Sequence, residues 1–118
     1  MRVLTVLAAL LLLVGCGPSI HDSRDYERHS MSQLSVPREG GGFVWFDVKL
    51  TAEFPDDNEL AEEKRMEWLE GWLEVRKMCA NGYEILERRE FGFLEHNPAR
   101  YDLRYKVQCA PKMSANNR

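Results

Sequence analysis

Cysteine and histidine are scarce in this chain of 118 residues, with three of each. No pair of them falls in a Cys-x-x-Cys or His-Glu-x-x-His spacing, and no glycine-rich phosphate loop is present, so no familiar catalytic or cofactor motif has residues to rest on. Basic charge is short as well. Sixteen Lys and Arg against nineteen Asp and Glu give a net charge of -3, the wrong sign for the basic footprint that nucleic acid binding needs. No apolar run reaches the roughly 20 residues required of a bilayer-spanning helix. No internal repeat is visible.

What is present begins at the N-terminus. Met1-Arg2 carries one positive charge, and Val3 to Val14 is apolar apart from Thr5. A basic end before a short apolar core reads as a secretory signal, which is set aside in reasoning about the fold. The stretch Leu13-Val14-Gly15-Cys16 closes it.

That stretch resembles the lipobox of bacterial lipoproteins. The resemblance covers only the signal and the cleavage site. It implies cleavage after residue 15, diacylglycerol on the Cys16 sulfur and acylation of the new amine, which together anchor stably in a lipid bilayer where one chain is marginal. Gly17, where an Asp favours the inner membrane in Gram-negative lipoproteins, implies the outer membrane and a periplasm-facing protein. Losing Arg2 leaves 15 basic side chains against 19 acidic, a net charge near -4.

About a hundred residues follow, enough for one small domain. Residues 16–42 are polar and interrupted by Pro18, Pro37 and Gly40-Gly41-Gly42, which reads as a lipidated cysteine and a flexible tether. Within it, Gln33-Leu34-Ser35-Val36 alternates in a way compatible with an extra edge strand. His21, Asp22, Asp25, Glu27 and His29 also fall here; the reading is a solvated linker, with no metal. Phe43 to Phe54 is the clearest strand. Val44, Phe46, Val48, Leu50, Ala52 and Phe54 lie on one face, and Phe43, Trp45, Asp47, Lys49, Thr51 and Glu53 on the other.

Asp56 to Ala80 has the period of one long amphipathic helix, opened by an Asp56/Glu59 capping box and stopped by Asn81-Gly82. Trp68, Trp72, Val75 and Cys79 form its apolar stripe, flanked by Met66, Leu69, Leu73 and Ala80. Arg65, Arg76 and Lys77 sit among glutamates as surface pairs. Gly71, costly in mid-helix, suggests a close approach to the sheet. Tyr83 to Phe91 is a second strand with an irregularity expected at the Glu87-Arg88-Arg89-Glu90 run. Gly92 to Pro98 is a turn, and Ala99 to Cys109 a third strand. Residues 112–118 form a loose tail.

The fold class is therefore α+β: a single β-α-β-β domain over residues 43–111, with one helix covering a three-stranded sheet. A right-handed crossover makes the first two strands parallel, and the third runs antiparallel between them, in spatial order 1-3-2. This topology brings Cys79 and Cys109 to one level. An even pair of cysteines in an oxidising compartment forms a disulfide by default.

For function, the outer sheet face stands out. Phe43 and Trp45 share it with Arg100, Arg104 and Lys106, an aromatic and cationic set of the kind interface centres favour. The expectation is a non-enzymatic envelope lipoprotein without cofactors that binds a protein partner through this patch. Self-association through a sheet edge, as an assembly accessory, is the alternative. Small-molecule or metal binding is a third class.

Overall fold

The computed structural model describes residues 20–111, with side chains from Arg24 onward. The order of elements is α1 (Ile20–Met31), β1 (Ser32–Ser35), β2 (Phe43–Val48), α2 (Glu59–Val75), β3 (Tyr83–Glu90) and β4 (Leu103–Cys109). The strands form one antiparallel-paired sheet in the order β1-β2-β4-β3. The expected arrangement of three strands is present as β2-β4-β3. With β2 and β3 both antiparallel to β4, they run parallel to each other, as a crossover through α2 requires.

The sheet has four strands, however, not three. The segment read as a tether carries α1 and β1, and β1 is the extra edge strand that the alternation at Gln33-Leu34-Ser35-Val36 allowed, found at Ser32–Ser35. Ser32 and Leu34 are buried on the helix side of the sheet, with Leu34 opposite Phe46. A polar α1 without a strong apolar stripe gave no helical signal. It is held by particular side chains instead. Glu27 accepts from Trp68 Nε1 at 2.9 Å, and Ser32 Oγ accepts from Trp72 Nε1 at 2.9 Å while donating to the Arg28 carbonyl. His29 stacks edgewise on Trp72 at 4.7 Å, and its Nδ1 donates to the Asp25 carbonyl at 2.8 Å. The two tryptophan N–H groups, polar handles on a buried face, thus dictate where α1 lies.

The core joins Val44, Phe46 and Val48 of β2, Leu103, Tyr105 and Val107 of β4, Leu34 of β1, and Trp68, Leu69, Trp72 and Leu73 of α2. Strand β2 ends at Val48, earlier than alternation suggests, because its neighbours end there. Ser32 and Leu103 both pair with Val48. Beyond it the backbone bonds to loops: Lys49 N–H to Met31, Leu50 N–H to the Asp102 carboxylate.

Helix α2 is shorter than its apolar period. Its cap is Asn58, whose Oδ1 accepts from Ala61 N–H at 2.8 Å, rather than Asp56. Its C-terminus closes at Lys77, left-handed at φ 55°. Lys77 N–H bonds to Glu74 and Met78 N–H to Leu73, the paired geometry of a Schellman stop. Cys79 and Asn81-Gly82 therefore lie in the following turn, and Val75 is exposed. The disulfide joins that turn to the end of β4 as expected, Cys79 to Cys109. Register shifts between Ile85 and Glu87, so the irregularity lies at Leu86, just before the Glu87-Arg88-Arg89-Glu90 run where it is expected.

Arg65 is not a surface residue. It is 0% exposed. Its Nε donates to Glu62 at 2.9 Å, and its Nη atoms donate to the carbonyls of Phe54, Pro55 and Asp56 at 3.0–3.3 Å. A buried guanidinium is tolerated because its donors have acceptors; here it ties the β2–α2 loop to the helix. Gly71 does mark a close approach, but to α1: a Cβ there would stand 2.7 Å from Arg28 Nη1.

Candidate functional site

Alternation and register place the outer face residue by residue. One row across the sheet reads Gln33, Asp47, Arg104, Arg89; the next reads Ser35, Trp45, Lys106, Glu87. Phe43 begins a third row opposite Gln108.

The first row holds a buried ion pair. Asp47 is 0% exposed, although it faces away from the helix. Arg104 Nε and Nη2 grip its two carboxylate oxygens at 2.8 and 3.0 Å, and Gln33 Nε2 donates to it at 3.0 Å. The row is covered by the β3–β4 loop, residues 91–102, through Glu95. Arg89 donates to both Glu95 oxygens at 2.8 and 2.9 Å, Arg104 Nη1 donates at 3.1 Å, and Gly92 N–H at 2.9 Å. The hydrogen bonds from Arg89, reinforced by Gly92 N–H and the Arg104 charge, hold the Glu95 carboxyl down at about 2. For Arg104, burial opposes the charge, but the Asp47 and Glu95 carboxylates outweigh it and hold the guanidinium more firmly charged than usual.

Aromatic rings lie over these cations. The Arg104 guanidinium sits 4.5 Å from the Trp45 ring and 4.7 Å from Phe91, and Arg89 lies 5.6 Å from Trp45. Phe43 meets Trp45 edgewise at 5.0 Å, and Lys106 Nζ stands 4.4 Å over Phe43. The geometry is that of cation–π pairing.

The expected patch is thus brought together in four of its five members: Phe43, Trp45, Arg104 and Lys106. Arg100 is not among them. Strand β4 starts only at Leu103, and Arg100 lies exposed in the preceding turn at φ 58°, its N–H bonded to the Asn97 carbonyl. Nor is the face a field of free cations, since Arg104 and Arg89 are neutralised within it; Lys106 makes no ion pair among the described residues. One further expectation is corrected: the order 1-3-2 leaves β2 at an edge of the sheet, whereas β1 pairs with it there. Arg104 is not free on the surface but held in its pair with Asp47.

Asp47, Arg89, Phe91 and Glu95 complete the site without having been singled out from the sequence. Asp47 opposite Arg104 follows from the register once the strand order is known. Glu95 gave no signal, because it lies in a loop without a period.

Two other places gather polar groups. On the inner side, Glu62 accepts from Arg65, Arg88 and Tyr105 at 2.8–3.1 Å. Burial opposes its ionisation, but these hydrogen bonds prevail and hold its carboxyl below the usual range. Tyr105, mainly through burial and then the Glu62 carboxylate, is pushed up to about 12. Between α1 and α2 lies an open cleft of about 390 Å³, with Arg24, Arg28, Lys64, Glu67 and Glu74 on its walls. Among the described residues no three His, Cys, Asp or Glu side chains gather as a metal site, and no helix is long and apolar enough to cross a membrane. Cys16, His21 and Asp22 lie outside the described side chains.

No protein-family model, curated protein or solved structure matches this chain.

Proposed function

We propose that the chain is a lipid-anchored protein of the bacterial envelope, held at the outer membrane by acylated Cys16 and facing the periplasm. It acts by binding a protein partner rather than by catalysis. The anchor rests on the Leu13-Val14-Gly15-Cys16 stretch. The observation that carries the binding reading is the corner made by Phe43, Trp45 and Lys106. These half-buried side chains stand on a rigid base, the buried Asp47–Arg104 pair, so their presentation costs little ordering on association. The polar groups beneath are spent on one another, which suits a docking surface better than a reacting centre.

Self-association through a sheet edge would use one of the two outer strands, β1 or β3. β1 is only four residues long, and β3 carries a bulge and the exposed Glu87, Arg88 and Glu90; short strands, bulges and charges are the devices by which edges resist pairing. Partner binding on the face is therefore the preferred reading.

A photoreactive phenylalanine analogue at position 43, in cells making the full chain, tests it. A discrete crosslink to another protein is expected, and it is lost when Lys106→Glu is added with the near-ultraviolet dichroism of the fold preserved. Absence of any protein crosslink would remove the reading. The anchor is tested separately: Cys16→Ala is expected to leave the membrane fraction, and the wild-type mature protein to carry acyl mass.

A further inference from the structure

The β3–β4 loop carries near its start an apolar knob that the sheet face does not use. Phe93 and Leu94 are 99% and 91% exposed, the most exposed large apolar side chains among the described residues. They are not at a frayed end. Glu95, the next residue, is locked to Arg89, Arg104 and Gly92 N–H. Further on, Asn97 donates to the Tyr101 carbonyl at 2.8 Å and accepts from Tyr101 N–H at 2.9 Å. The fold thus braces a loop in order to hold two apolar side chains in water, and adjacent apolar side chains left exposed mark a contact site.

Shape and charge indicate the contact. A stable protein interface buries on the order of 1,000 Å² with a complementary surface. The neighbours of this knob supply no such area: Glu95 and Asn97 are polar and committed inside the loop, and Phe91 is covered by Arg104. A lipid leaflet needs no matching pocket. It accepts a short apolar tip at the headgroup–acyl boundary, the depth at which tryptophan and tyrosine rings also gather. Arg100, exposed in the same loop, makes no ion pair among the described residues and suits a lipid phosphate.

Proximity rests on the anchor reading above. Only Gly17, Pro18 and Ser19 separate Cys16 from the first residue of α1, and a fully extended chain crosses at most about 14 Å from Cys16 to Ile20. Acylation would hold the folded domain against the leaflet, so that a weak second contact forms at the high effective concentration of a tethered ligand. We propose that Phe93 and Leu94 insert into the leaflet that carries the anchor, with Arg100 on its phosphates, so that the loop is a second membrane contact.

The test uses the mature acylated protein in vesicles of phosphatidylethanolamine and phosphatidylglycerol, with and without brominated acyl chains. Phe93→Trp adds a reporter indole, compared with wild type in the same vesicles to remove the three native tryptophans. Expected are a blue-shifted added emission, its quenching by bromines placed high on the acyl chain, and weakening of both on Arg100→Glu. An added emission typical of water and indifferent to bromine would overturn the proposal. So would an indole that stays in water on vesicles but shifts blue in whole envelopes, since its occupant would then be a protein. Failure of the anchor reading appears differently, as mature protein without acyl mass that does not float with vesicles.

Discussion

Arg104 carries more of the outer face than any other side chain. It pairs Asp47 in two places, reaches Glu95, and lies against the Trp45 and Phe91 rings. Removing one partner of a buried pair leaves a charge without compensation, typically at about 3–5 kcal/mol. Arg104→Ala is therefore expected to lower unfolding free energy in urea by about 3 kcal/mol or more, and Asp47→Asn combined with Arg104→Met to restore much of it. Glu95 makes a separate prediction about pH. Its carboxyl is held at about 2, well below its ordinary value of 4.5. The unfolded chain takes up this proton first, so the contribution is complete above pH 4.5 and fades as pH falls toward 2. Glu95→Gln should flatten the loss of stability over that window, measured by denaturant midpoints.

Among the elements, α1 and α2 are fitted to each other through Gly71 and Arg28. Alanine at 71 would improve helix propensity by about 1 kcal/mol, but its Cβ would meet the Arg28 guanidinium. Gly71→Ala is therefore expected to stabilise less alone than in an Arg28→Ala background. A double-mutant cycle reads the difference, and a coupling indistinguishable from zero would show that the two helices do not press on each other here. This contact was half legible: the glycine announced a close approach, but nothing in α1, a polar helix with few apolar residues, said what approached. The same contrast runs through the fold. Strands β2 and β4 show strict alternation because one of their faces is buried along its length, and their order was readable. Strand β1 has only Ser32 and Leu34 facing inward, too few for alternation to distinguish from chance. The outer patch was legible where it lay on β2 and β4. It failed at Arg100 and Glu95, because parity says nothing once the chain leaves the strand.

At the scale of the whole molecule, the Cys79–Cys109 disulfide closes a loop with a sequence separation of 30 residues and joins the α2–β3 turn to the end of the central strand β4. Small domains bury a modest fraction of their surface and depend on such staples. Cys79→Ser with Cys109→Ser is expected to cost about 3–4 kcal/mol in the chain-entropy account, read as a lower thermal midpoint under non-reducing conditions. A variant with an unchanged midpoint would show that the four-stranded sheet and its two helices suffice.

The continuity of α1 into β1 has a mechanical consequence. Met31 ends the helix and Ser32 begins the strand with no residue between them. A pull applied at the N-terminus therefore finds no slack in the segment once expected to provide it. Load enters α1, reaches the Glu27–Trp68 and Ser32–Trp72 hydrogen bonds, and only then bears on the four paired residues of β1. Under tension this edge would peel before the disulfide-closed remainder yielded. Under such a load the N-terminal helix and strand would serve as a mechanical fuse, giving way first and sparing the part of the sheet that carries the aromatic corner.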